Sequence, residues 1–516
     1  MLLTFYAPLY ILFCGLHFVL LSFGEKSFLI TSGVYSSDLV QPYLIAQDFL
    51  SNPAFVLDWQ FSPAIYLFPD TLLAVLFSTL PVPAFFLPVF YAALLLTGYT
   101  CSITYCFNSC LKIKRGHPGW LVAALLALSA VVVVYWGGEL SRSVYFWLTS
   151  SFIHTGALLL TLFSFGLYMR TLETGSRVLF LGFSVLILLI SFSDLIYIDW
   201  FLIPSFFVAL IIYISQKQLD AFRLSERLLM VALCGVILEM LFRQGTHLKS
   251  YLSSCNTNVG MFTDLYTRTL SGDLGIALVF VLNVGLLLHA VLIILRSIDI
   301  RHLRKMDVLV LYLAASSFSA FSFMALLGIY GCYIDAVMFR YMLPVFVFPL
   351  IWVMLGIVRM TYRQRVSHLA TLAIAIASLF VVLSPQLTGV RDRFIRNNQT
   401  ALVQCLLEHH LTQGYAGYLD AKRLMFLSGG LVHLMQLDPE VSPLRSNYND
   451  VWFSRDRTRR TQLHPNFVLV EQLKAEAVVH KFGSPSTVFE CEEQTIYVYE
   501  KGLPLFSVTT AGMFFP

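Results

Sequence analysis

Apolar residues in this chain gather into blocks of about 20, the length a helix needs to cross a hydrocarbon core of about 30 Å. Such blocks cover about 3–23, 84–107, 119–136, 151–169, 178–197, 199–215, 228–243, 275–296, 308–330, 341–358 and 367–385. They predict about eleven membrane-spanning helices. The first block has no basic lead and no small-residue cleavage site after it, so it is expected to remain as a helix rather than be removed. Pro385 ends the last block. Beyond it, charge runs appear and short alternating stretches such as Thr495–Tyr499 predict strands, with a helix near 399–412. The expected fold class is therefore an α-helical membrane bundle over 1–385 with a C-terminal extracytoplasmic α/β domain over 386–516.

The loops between blocks are of two kinds. One kind carries Lys112, Lys114 and Arg115; Arg170 and Arg177; Lys217, Arg223 and Arg227; Arg296, Arg301, Arg304 and Lys305; and Arg359, Arg363 and Arg365. The other kind is nearly free of them, and the two alternate. Basic loops stay in the cytoplasm, so the first loop, 24–69, and the tail after Pro385 are expected outside. The apolar stretch from Phe68 to Leu80 would break this parity if it crossed. It is expected to form a re-entrant or interfacial half-helix.

Composition narrows the picture. Apolar residues make up 58% of 516 and charged residues 12%, with mean hydropathy +0.75; soluble domains carry roughly 25% charged residues. The formal net charge of +4, with no dense basic patch, argues against a nucleic-acid partner. No C-x-x-C spacing suggests a zinc site. Cys405 and Cys491 both fall in the outward tail, where an oxidising compartment would permit a disulfide; free thiols are the alternative.

The first loop holds the candidate chemistry. Pro42 sits where a helix of about 39–50 would begin, and the apolar spacing there suits an amphipathic juxtamembrane helix on the membrane surface. Asp38 precedes it, either as an N-cap or as a base at the membrane face. Tyr43 lies in the helix. Tyr66, among Trp59, Phe68 and Pro69, is an interfacial anchor or a substrate contact, and Asp70 can cap 71–80. Outward-end cations are Arg340, Arg142, Lys249 and Arg268. Arg340 begins a span, where Arg either snorkels or presents a fork to a phosphate. Asp194 and Asp199 flank a tight outward turn, either solvated or lining a cavity. His154 either meets a phosphate or satisfies a neighbouring helix carbonyl, and Glu239 lies within a turn of an outward helix end.

The order of one span, a long outward loop opening with an acid, a juxtamembrane helix, many spans and an outward tail resembles the GT-C superfamily of membrane glycosyltransferases. Ser37-Asp38, Phe68-Pro69-Asp70 and the tail segment Gly414–Lys422 carry the resemblance. It differs in lacking two acids side by side at 37–38. The resemblance implies an enzyme that transfers a sugar from a polyprenyl-phosphate-linked donor to a glycan, lipid or protein acceptor on the outer face. Asp38 would be catalytic. Arg340, Arg142 and Lys249 would bind the donor phosphate, and Tyr43, Asp70, Tyr66 and Asp194 would position substrate. No cofactor and no metal is expected. The partners are the lipid-linked sugar, its acceptor and the bilayer, and the expected location is a bacterial inner membrane with the site facing the periplasm. The competing readings are a transporter or flippase for a lipid-linked saccharide, and a non-catalytic envelope assembly subunit.

Overall fold

The computed structural model describes residues 37–61, 64–79, 87–110, 154–242, 274–300, 303–329, 340–364, 398–444, 448–455, 461–492 and 494–506. Contacts divide the chain into two compact units, Met1–His17 with Ala92–Pro385, and Phe18–Tyr91 with Gln386–Pro516. The division differs from a boundary at 385 alone. The first loop clusters with the tail rather than with the spans.

Along the chain the helices are α1 (Ser37–Ser51), α2 (Leu72–Ser78) and α3 (Leu87–Cys110), followed by α4 (Thr155–Thr174), α5 (Arg177–Ser193), α6 (Ile203–Gln216), α7 (Leu219–Phe242), α8 (Leu274–Ile300), α9 (Lys305–Ile329) and α10 (Leu343–Gln364). The tail adds α11 (Asn398–Glu408), α12 (Tyr418–Leu427) and α13 (Ala475–Phe482). Four stretches among the described residues are long and apolar enough to cross a membrane: Thr155–Thr174, Ile198–Gln216, Ile276–Ser297 and Lys305–Leu327. The expected count of about eleven is not reproduced by these four. The predicted spans 3–23, 119–136 and 367–385 lie outside the described residues.

In the helical unit, α5 packs on α7, α9 on α10 and α6 on both α7 and α9. The α5–α7 approach is close. A methyl group added at Gly235 would stand 2.9 Å from the Leu188 carbonyl oxygen, so only glycine admits the neighbouring backbone. Outward-turned faces are apolar at helical spacing: Val178, Leu181, Val185 and Leu189 on α5, and Val281, Val284, Leu288, Leu292 and Leu295 on α8. Such stripes suit hydrocarbon rather than water. Some of the polar groups inside find partners across helices. A π-turn over Ile198–Leu202 leads into α6. Ser316 Oγ donates to the Trp200 carbonyl there at 2.6 Å, and Tyr312 stacks on Phe165 at 4.0 Å. At the basic end, Lys305 pairs with Glu173 at 2.7 Å.

The second unit contains a five-stranded sheet. Its strands are β2 (Gln413–Gly417), β3 (His433–Leu437), β5 (Phe467–Leu469), β6 (Thr487–Cys491) and β7 (Gln494–Val498). The order is β3-β2-β5-β7-β6. β2 runs parallel to β3 and β5, while β7 runs antiparallel to β5 and β6. The expected strand at 495–499 and helix near 399–412 correspond to β7 and α11. Cys405 and Cys491 form a disulfide with their Cα atoms 6.1 Å apart.

The expected amphipathic surface helix is a core helix instead. Val40, Tyr43, Leu44, Ile45 and Ala46 of α1 all belong to the buried cluster of this unit. The helix's polar Gln41 and Asp48 are buried along with these apolar positions. α1 packs on α12 and α2, with the Tyr43 and Phe426 rings 5.4 Å apart. Val40, Leu44 and Ile45 each contribute roughly 1.5–3 kcal/mol by burial. Loop and tail are also stitched by pairing of β1 (Trp59–Gln60) with β4 (Tyr448–Asn449). Beside it, buried Asp48 accepts hydrogen bonds on Oδ2 from Asn449 Nδ2 at 2.8 Å and from Trp59 Nε1 at 3.1 Å.

Candidate functional site

Asp38 is the second described residue of α1 (Ser37–Ser51). Pro42 is correspondingly interior. Having no N–H, it withholds the helical donor from the Asp38 carbonyl, four residues earlier.

Asp70 and Tyr66 frame the short turn before α2. Tyr66 adopts a left-handed backbone (φ 55°), and its carbonyl accepts from both the amide (3.0 Å) and the hydroxyl (2.9 Å) of Thr71. The Phe68–Pro69 peptide is cis. Asp70 is buried and accepts a hydrogen bond from the Tyr91 hydroxyl. Tyr43 is wholly buried against Phe426. Both lie in the interior of the second unit, where they shape the fold of the loop.

The tail segment that carries part of the family resemblance is also interior. Gly417 ends β2 and α12 follows at once. Gln472, just after β5, crosses the gap between these parallel strands. Its Oε1 accepts from the Leu419 amide at 2.8 Å and its Nε2 donates to Asp420 Oδ2 at 2.6 Å. A methyl at Gly417 would meet Gln472 Cβ at 2.4 Å, so the glycine leaves room for this plug. In an open α/β sheet, ligands favour the crevice where strand order reverses; here the Gln472 side chain occupies it. Asp420 also pairs with Arg423. Burial raises the Asp420 carboxyl above its ordinary value against the pull of Arg423, and burial lowers Arg423. Lys422 is fully buried with its ammonium 4.6 Å from the centre of the Tyr418 ring.

The helical unit gathers a different set. His154 stands just before α4 with a left-handed backbone (φ 61°). Asp194 is the residue that ends α5. The two side chains are buried and joined, His154 Nδ1 to Asp194 Oδ2, at 2.7 Å. Asp194 Oδ1 accepts the Ile196 amide at 3.2 Å. The expected solvated turn at Asp194 is therefore a buried hydrogen-bonding position instead. The His154 ring lies 5.0 Å from that of Tyr341 and 6.1 Å from that of Trp200. Arg340, half-buried in the turn before α10, places its guanidinium 5.1 Å from the centre of the Tyr341 ring and donates to the Tyr341 hydroxyl at 3.2 Å. Asp199 accepts from Ser319 Oγ at 2.6 Å.

Asp194 and Arg340 thus meet in one array, through His154 and Tyr341. All four stand at one end of the unit, opposite the Lys305–Glu173 pair. The sequence offered His154 a phosphate or a neighbouring helix carbonyl, and not the Asp194 carboxylate it meets. The usable signal was that His154, Asp194 and Arg340 close or open helices at the same end. Arg142 and Lys249 lie outside the described residues. Among the described residues no group of three or more His, Cys, Asp or Glu side chains is arranged to hold a metal ion. The sequence matches no protein-family model and no curated protein.

Proposed function

We propose that this chain is a membrane glycosyltransferase of the GT-C kind, which moves a sugar from a polyprenyl-phosphate donor to an acceptor on the extracytoplasmic face. The observation that carries the reading is Arg340, a guanidinium held on Tyr341 at the end of an apolar helical unit. The phosphate of a membrane lipid arrives at the ends of spanning helices, and a planar fork matches phosphate oxygens. The disulfide in the tail supports an oxidising, outward compartment for that part of the chain.

The chemistry has two needs. The acceptor oxygen attacks the anomeric carbon, and its proton passes to a carboxylate, the role that the family resemblance gives to Asp38. The bond from the anomeric carbon to the phosphate oxygen breaks, and the electron pair leaves with the lipid phosphate, which gains one negative charge. Arg340 stabilises that charge. A positioned base contributes roughly 10²–10⁴-fold in rate.

The test uses full-length protein in membranes, offered decaprenyl phosphate carrying radiolabelled mannose, glucose, galactose or arabinose. Wild type is expected to transfer label from one of these donors. Asp38→Asn, expressed at the same level, is expected to transfer about a hundredfold less. Transfer from none of the four donors overturns the function. Full transfer by Asp38→Asn removes Asp38 from the mechanism.

A further inference from the structure

We infer that the outer face of α2 is a lipid-docking surface, which holds the folded second unit on the bilayer by apolar contact alone, without help from charge. The inference goes beyond the transferase reading and does not depend on it.

The two sides of α2 differ in what they touch. Ala74 is buried in the core of the second unit, and Val75 and Phe77 pack against that core. Leu72 and Leu76 stand one helical turn apart and so share a face. Both are 57% exposed. Every residue of α2 before its final serine is apolar, whereas a surface helix in water turns polar residues outward. The end of α1, which packs on α2, leaves Phe49 and Leu50 exposed as well.

The level of α2 is set by its tie to α3. Asp70, in the turn before α2, accepts a hydrogen bond from the Tyr91 hydroxyl of α3. Leu87, the first residue of α3, lies in the same buried cluster as Ala74. α3 has 24 residues, a length of about 36 Å, and leads into Lys112, Lys114 and Arg115. A helix of that length with basic residues at its cytoplasmic end crosses a hydrocarbon core of about 30 Å. Leu87 then stands at the outer boundary, and α2, bonded beside it, stands there too.

Charge selects the kind of contact. From Ser27 to Leu111 the chain has no Lys, Arg or His, so nothing near α2 draws an anionic headgroup. The acids on either side, Asp48 and Asp70, are buried. Such a face enters the boundary between headgroups and acyl chains, to a depth of about 5–10 Å, by apolar burial. Two leucines would anchor a free protein weakly. Here α3 already keeps them at the membrane, so the contact forms at high effective concentration. Because α1, α2 and the sheet share one core, a lipid contact at α2 is carried to the tail.

The experiment places a nitroxide label at Leu72→Cys, Leu76→Cys or Val488→Cys in full-length protein, with every cysteine other than Cys405 and Cys491 changed to serine. In nanodiscs of phosphatidylcholine, and again with phosphatidylglycerol added, relaxation of the label by oxygen, which partitions into lipid, is compared with relaxation by a water-soluble nickel chelate. Labels at 72 and 76 are expected to respond several-fold more to oxygen than to nickel, equally in both lipids and at low and high salt. The label at 488, on the edge strand β6, is expected to show the reverse. Leu76→Glu, read from the label at 72, is expected to return that label to water. Formation of the 405–491 disulfide in each variant checks that the unit is folded. A stronger response to nickel at 72 and 76 overturns the docking. Shielding from both reagents there means that protein covers the face, whether a second copy or another segment of this chain, and overturns the lipid assignment. An oxygen preference that needs phosphatidylglycerol, or that salt abolishes, overturns the uncharged contact. An equal oxygen preference at 488 overturns the assignment to α2, as does a label at 72 that Leu76→Glu leaves unmoved.

Discussion

Asn283 on α8 donates a hydrogen bond of 2.7 Å to the Val345 carbonyl on α10. Val345 is four residues before Pro349, which lies inside α10 and has no N–H to offer it. The asparagine of one helix thus satisfies the backbone group that a proline leaves open in another. In an apolar environment an unsatisfied carbonyl is costly, and neighbouring helices supply the missing donors.

Asn283→Leu is expected to destabilise the helical unit by about 1 kcal/mol, the scale of interhelical hydrogen bonds in membranes. Pro349→Ala restores the helical donor to Val345. In the Pro349→Ala background, Asn283→Leu should therefore cost little. Thermal unfolding of the four proteins of this cycle in detergent checks it. Simple additivity of the two changes would sink the account.

The Asp420–Arg423 pair inside the tail makes a prediction with a pH sign. Burial raises the Asp420 carboxyl, so the folded protein binds that proton more tightly than the unfolded chain does. The contribution of this group to stability is complete below the ordinary carboxyl value and is lost as pH rises through the raised one. Asp420→Asn should abolish that fall while stranding Arg423, whose partner is gone, at a cost of about 3–5 kcal/mol. Asp420→Leu combined with Arg423→Met should recover most of the loss. Amide exchange of β2 and β3 in the full-length protein, followed from acid to neutral pH, reads both effects. A double variant as unstable as the single one contradicts them.

The disulfide closes a loop with a sequence separation of 86, for which chain entropy suggests a stabilisation of up to about 4–5 kcal/mol. It ties α11 to the end of β6. Peptide mapping without reductant, on protein extracted with thiols blocked, should recover the 405 and 491 peptides linked. Cys405→Ser should loosen β6 and α11 in amide exchange before it affects β2 and β3. Recovery of both thiols free from an oxidising compartment would refute the bond and remove one support for an outward tail.

Local pattern carried much of the architecture. Apolar blocks with basic loops between them marked the helices from α4 to α10, because hydropathy and helix length are properties of contiguous residues. The alternation at Thr495–Tyr499 marked β7 for the same reason. The change of character after Pro385 marked the start of the tail.

Other features are set by partners distant in the chain. The apolar positions from Leu39 to Ala46 describe a membrane-surface helix and a core helix equally well, and the packing of Phe426 and α12 decided for the core. Asp48 meets Asn449 across 401 residues, which no local window contains. His154 and Asp194 each carried two readings in the sequence, neither of which paired them. Their pairing, and the placing of Tyr341 and Arg340 beside them, depends on how α4, α5 and α10 close against one another. The sequence by itself determined the helices from α4 to α11 and the strand β7, because those choices are settled within a few turns of chain. Tertiary structure alone decided which polar residues share a site, because that depends on burial and on contacts between segments that no short-range pattern encodes.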